Sequence, residues 1–200
     1  MLINNKNVFF YADPHFGHKN VIRYCNRPFT SVSEMNTQLI KNFNKVVTNS
    51  DVVYILGDVS FLNTTSTTEI VKSLKGYKIL VKGNHDNKSN TAYRKMGFME
   101  VYDRPVIFNI QYILSHEPII DELYENSGFI NIYGHIHNNA VNNSNNKFCV
   151  SVESIDYKPI SFEDIKTELR KPKGLGSPYY VPRCDLFSYT GEMDENSNCR

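Results

Sequence analysis

Five short clusters of Asp, Asn, His and Gly punctuate this chain, each behind a run of apolar residues. Val8–Ala12 leads into Asp13-Pro14-His15-Phe16-Gly17-His18, and Val52–Leu56 into Gly57-Asp58. Tyr77–Val81 leads to Gly83-Asn84-His85-Asp86, Gln111–Leu114 to Ser115-His116, and Ile130–Tyr133 to Gly134-His135-Ile136-His137. All six histidines fall in these clusters. Histidines used for packing or solubility would be scattered. Gathered behind buried strands, they stand where an open α/β sheet collects its ligand-binding groups. The pattern restricts the chain to folds that bring several strand ends to one edge, and it points to a metal site.

The segments between clusters fit that frame. A short helical piece around 20–25 is stopped by Arg27-Pro28. Ser31 and Glu34 form a capping box that opens a helix to about Val47, with Leu39, Ile40, Phe43, Val46 and Val47 as its apolar stripe. Helices are also predicted over 68–74, ended by Gly76, and over 90–96, ended by Gly97 in the left-handed conformation. Strand, helix, strand, helix, strand implies parallel pairing with helical crossovers. From residue 101 onward the pattern changes to short strands (101–102, 106–108, 111–114, 130–133, 148–152) and one helix, 161–170. These read as a second sheet of mixed or antiparallel pairing. The expected fold is α/β, a two-sheet sandwich flanked by helices.

A chain of 200 residues suits one domain with a real core. Residues 1–170 carry it, and the Pro- and Gly-containing stretch 171–200 reads as an extension packed on the domain or a partner, or partly flexible. The stretch 138–146 is a polar loop. With 22 basic and 21 acidic side chains the net charge is +1, which advertises neither nucleic-acid nor membrane binding. The first residues hold no apolar leader and no run reaches membrane-spanning length, so a cytoplasmic location is expected. Cys25, Cys149, Cys184 and Cys199 show no paired spacing and read as reduced thiols. The abundant Tyr and Phe read first as core.

Asp-x-His sets two ligands on one side of an extended segment, because side chains at i and i+2 share a face. Gly134-His135-Ile136-His137 repeats the device. Asp13, His15, Asp58, Asn84, His116, His135 and His137 together offer more ligand groups than one ion takes. They suit two ions about 3.5–4 Å apart. Imidazole and carboxylate without thiolate fit Mn²⁺, Fe or Zn²⁺ better than a structural zinc. Phosphorus is the electrophile that most often asks for such a pair.

The order D-x-H, G-D, G-N-H-D, H, G-H-x-H resembles the calcineurin-like metallophosphoesterase superfamily over residues 8–165, with no substitution at a ligand position. The wording of the first cluster, through Tyr24-Cys25-Asn26-Arg27-Pro28-Phe29, is similar to a small branch found in bacteria and phages; Pro14, where Thr or Leu is commoner, departs from it. The resemblance implies a four-layer αββα sandwich and a dimetal phosphoesterase working by in-line attack of a metal-bridging hydroxide. It implies Asp13, His15 and His137 on the first ion, Asn84, His116 and His135 on the second, and Asp58 between them. It implies two divalent cations, Mn²⁺ first and Fe, Zn²⁺ or Ni²⁺ as alternatives. His85 becomes the acid for the leaving oxygen, oriented by Asp86.

His18 is expected either to touch substrate phosphate or to hydrogen-bond its loop. Lys19, Arg23 and Arg27 stand near the mouth, where Arg27 is the candidate to meet an anionic substrate, although surface charge is the commoner reason for such residues. A small phosphodiester or nucleotide is the expected substrate of so compact a domain. A nuclease acting on DNA or RNA is the alternative, and a non-catalytic scaffold is disfavoured because the ligands and His85 are all present.

Overall fold

A computed structural model describes residues 7–120, 127–139 and 146–171. The extension beyond 171, with Cys184 and Cys199, and the centre of the asparagine-rich loop lie outside the described residues.

Strands β1 (Val8–Tyr11), β2 (Val52–Leu56) and β3 (Tyr77–Val81) pair in parallel, in the order β3-β2-β1. Helices α1 (Lys19–Tyr24), α2 (Val32–Val46) and α3 (Thr64–Ser73) fill the crossovers, and α4 (Asn90–Met96) follows β3. The side-chain alternation of β1 explains the layering. Phe10 points to the second sheet, where it meets the edge of Phe108 at 5.5 Å. Tyr11 points the other way, onto Phe43 of α2 at 5.4 Å. Both are fully buried, and Phe10 contributes about 1.5–3 kcal/mol. An apolar run without alternation is what a strand covered on both faces requires.

The cap at α2 is as expected on one side: Ser31 Oγ accepts from Glu34 N at 3.1 Å. The Glu34 carboxylate reaches one residue further back, accepting from Thr30 N at 2.8 Å. Gly97 ends α4 at φ 117°.

Several elements differ from what the sequence leads one to expect. β4 (Glu100–Tyr102), expected in the second sheet, pairs parallel with β3 in the first. β9 (Ile160–Ser161) adds an antiparallel edge to β1 before α5 (Phe162–Arg170), whose N-cap Ser161 doubles as the strand's last residue. Helix α3 begins a turn earlier, at Thr64 behind the Asn63 cap, because its first turn is Thr and Ser with no apolar spacing to reveal it.

The second sheet runs β5 (Val106–Phe108), β6 (Tyr112–Leu114), β7 (Ile130–Tyr133) and β8 (Lys147–Cys149), antiparallel for the first pair and parallel after that. Beyond β8, where a strand to 152 was expected, the chain turns into a 3₁₀ segment, Val152–Ile155. Two mixed sheets thus face each other with helices flanking. The parallel strands β1, β2, β3, β6 and β7 all end toward one edge, and all five clusters are there.

Candidate metal centre

Five of the seven candidate ligands hold left-handed backbone: Asp13 (φ 56°), His15 (50°), Asp58 (54°), His135 (73°) and His137 (45°). Residues other than glycine avoid this region unless surrounding structure enforces it. The enforcement is visible. Asp13 N, His15 N and Phe16 N donate to Gly57 O, Asp58 O and Val59 O at 3.0–3.2 Å, so the first loop is laced to the second. His135 N donates to Asp13 Oδ2 at 2.8 Å, tying the second sheet to the first. Ser151 Oγ donates to the same oxygen at 2.6 Å.

The glycines of the clusters serve these close approaches. A Cβ on Gly57 would collide with His116 Nδ1, one on Gly83 with Asp58 Oδ1, and one on Gly134 with Asp13 Oδ2. Each glycine therefore vacates room for a candidate ligand from a different loop.

Three groups of donor atoms result among the described residues, the atoms of each within 4.8 Å of one another: Asp13, His15 and His137; Asp58, His116 and His135; and Cys25, His137 and Glu153, of which the first two are made wholly of candidate ligands. Asp58 Oδ2 stands between those two, 3.6 Å from His15 Nε2 and 3.5 Å from His116 Nε2. His116 Nδ1 donates to Leu56 O at 2.9 Å, which turns Nε2 inward, 2.9 Å from Asn84 Oδ1 and 3.1 Å from His135 Nδ1. Electron-pair donors thus converge with few protons among them. Asp13 Oδ1 and both ring nitrogens of His15 are buried without a hydrogen-bond partner. Orphaned donors of this kind, in a buried cluster of imidazole and carboxylate, fit divalent cations.

The electrostatics agree. Burial works against a charge on Asp58, but the hydrogen bond and charge of His116 outweigh it and take the carboxyl down to about 2. Burial likewise opposes protonation of His116, and Asp58 and Asp13 overcome it, to about 9. On His137, burial is outweighed by Cys25 and Glu153, raising the ring to about 11. Burial drives His15 the other way, well below the ordinary imidazole range. At the inward nitrogens protons and cations compete for the same seats.

Two expected roles are corrected. Arg27 does not face solvent; it is 4% exposed and acts as an internal clamp. Its Nη2 donates to Asp13 O at 2.7 Å, its Nη1 to Pro14 O at 2.8 Å, and its Nε to Glu153 Oε1 at 2.8 Å. Asp86 does not orient His85. Its carboxylate accepts from Asp58 N (2.7 Å), Gly83 N (2.9 Å), Val59 N (3.2 Å) and Tyr93 Oη (3.2 Å), so both oxygens are taken in binding two loops together.

The His85 ring is 44% exposed, with Nε2 3.9 Å from Asp58 Oδ2 and the rings of His15 and Phe61 beside it. His18 stacks on Phe61, ring centroids 4.1 Å apart. Sequence reasoning missed Glu153, which accepts from His137 Nδ1 at 3.0 Å and fixes that ring through its outer nitrogen. It also missed Ser151 and Phe61. None of the three lies in a recognisable motif, and only the fold brings Glu153 to a loop 126 positions away.

An α/β sandwich with paired groups of imidazole and carboxylate donors at its strand ends is suited to hold metal ions. A calcineurin-like phosphoesterase superfamily domain matches residues 10–157, and the chain belongs to that superfamily, a metallophosphoesterase. An uncharacterised protein of Methanocaldococcus jannaschii is 36% identical over 177 residues, covering 84% of this chain and 94% of that one. The gene 66 protein of Mycobacterium phage L5 is 35% identical over 83 residues, 40% of each chain. The crystal structure of a protein of unknown function from Aquifex aeolicus superposes with TM-score 0.66 at 29% identity, over 82% of this chain and 99% of that one. No helix among the described residues is long and apolar enough to cross a membrane.

Proposed function

We propose that the protein is a dimetal phosphodiesterase acting on a small, nucleotide-like ester. Asp13, His15 and His137 would hold one ion and Asn84, His116 and His135 the other, with Asp58 placed between the two groups. Imidazole with carboxylate and amide oxygen suits Mn²⁺, Fe or Zn²⁺, and Mn²⁺ is the ion we take first. When bound, such a pair neutralises phosphate charge and lowers the pKa of coordinated water.

The chain supplies the rest. Arg27 and Asp86 fix the backbone of the loops that carry Asp13 and Asp58. Glu153 holds Nδ1 of His137, leaving Nε2 for an ion. The observation that carries the reading is His85: half-exposed beside Asp58 and, among the described residues, held by no side-chain hydrogen bond, its Nε2 is placed to give a proton to the leaving oxygen.

The test is hydrolysis of bis(p-nitrophenyl) phosphate against p-nitrophenyl phosphate with Mn²⁺, for wild type and His85→Ala. General-acid loss lowers kcat by about 10²–10⁴-fold, and more for a poor leaving group than for p-nitrophenolate. Turnover that His85→Ala leaves intact both on bis(p-nitrophenyl) phosphate and on a diester with a poor, alkoxide leaving group would sink the assignment. No turnover from Mn²⁺-loaded wild type on either ester would count against the diesterase itself.

A further inference from the structure

We infer that Phe61 and His18 form an aromatic shelf that takes the flat part of the ester, a nucleobase or aryl group, beside the reacting phosphate. The inference rests on the phosphodiesterase reading and names the substrate class it serves.

Phe61 is 43% exposed, an uncomfortable position for a large apolar ring. Its ring lies 4.1 Å from that of His18 at an interplanar angle of 12°, a near-parallel stack. The same ring is 4.8 Å from His85 and 5.4 Å from His15. Among the described residues, no other large apolar side chain with comparable exposure packs its ring against the site histidines.

The shelf is also rigid. Phe61 N donates to Phe16 O at 2.9 Å and Ser60 Oγ to the same oxygen at 3.2 Å. Leu62 packs directly against Gly17, in the space a Cβ there would fill, so the chain on either side of the stack is fixed. Gly17 N is held by Asn36 Oδ1 at 3.0 Å. A pre-ordered ring in water, one ring away from the candidate proton donor, loses little freedom on receiving a planar partner. Stacking reads flatness rather than hydrogen-bonding edges, so the shelf favours flat substituents with little choice among bases.

Two esters with the same scissile bond and leaving group separate this role from catalysis: thymidine 5′-(p-nitrophenyl phosphate) and ethyl p-nitrophenyl phosphate, assayed with the Mn²⁺-loaded full chain. Wild type prefers the thymidine ester. Phe61→Leu lowers that preference about tenfold, chiefly through KM, and Phe61→Trp retains it. A preference unchanged in Phe61→Leu overturns the shelf, as does an equal fall in kcat for both esters, which would make Phe61 only a support for His85. If wild type hydrolyses neither ester, the phosphodiesterase reading fails. Calorimetric binding of thymidine 5′-phosphate against ethyl phosphate then still decides the shelf, which requires tighter binding of the nucleotide in wild type and loss of that difference in Phe61→Leu.

Discussion

Replacing Arg27 by Met would separate a structural clamp from a substrate contact. The guanidinium is buried, pairs with a Glu153 carboxylate that is itself 4% exposed, and donates to two backbone carbonyls of the Asp13 loop. Methionine fills much of the volume but leaves Glu153 as a buried charge facing only His137. Removing one partner of such a pair costs about 3–5 kcal/mol. Apolar packing beside Met35 returns part of it, so a net loss of about 3–4 kcal/mol is expected. At about 2–4 °C per kcal/mol for a chain of this size, the melting temperature falls by roughly 6–16 °C. Adding Glu153→Gln removes the stranded charge, and the double variant recovers about 0.5–3 kcal/mol relative to additivity. The assay is a thermal melt of all four proteins, alongside KM for an aryl diester. A shift below about 2 °C accompanied by a large rise in KM would refute the clamp and restore Arg27 as a substrate contact.

Gly83→Ala should fold yet bind Mn²⁺ about 10–100-fold more weakly by calorimetry, because its Cβ pushes on Asp58; unchanged affinity would show that the loop yields freely. Loading the ions should release about two protons near pH 7.5, since His116 (about 9) and His137 (about 11) carry raised pKa values, and metal affinity should fall as pH drops. Calorimetry in buffers of different ionisation heat tests this, and buffer-independent heats would contradict it. Asp51→Asn should cost about 1–2 kcal/mol, read from denaturant melts, by weakening the bonds from Thr48 N and Oγ1, both 2.7 Å. Burial opposes ionisation of Asp51, but those bonds outweigh it and lower its pKa. Its contribution is therefore full above the unfolded carboxyl range and disappears as pH falls through the folded value, so the variant should lose acid sensitivity there.

Where the order of the chain matched the order of causes, the sequence was easy to read. β1 to β3 are apolar runs closed by glycine or a cluster, and the Ser31 cap sits where its helix begins. β4 was misplaced because three residues, Glu100-Val101-Tyr102, hold no information about which sheet edge they will find. That the seven candidate donors gather at one edge was legible because each follows an apolar run that forms a buried strand. What supports them was not: Arg27 and Asp86 have the composition of surface or catalytic residues, and only their burial reveals a structural duty. Glu153 reads as one more acid in a polar turn until the fold sets it against His137.

The left-handed ligands have a consequence for how such a chain ages under mutation. For an L-residue each of those backbone positions costs about 1–2 kcal/mol, somewhat less for Asp. A lineage selected only to stay folded would drift toward glycine or asparagine there, gaining stability with each loss of chemistry. Aspartate and histidine stand at all five positions in this chain, including His15, whose ring nitrogens have no hydrogen-bond partner within the protein. The side chains of Asp13 and His137 also bind the loops to one another, but among the described residues that of His15 does not, and a bound cation would give its buried ring nitrogens the partner they lack.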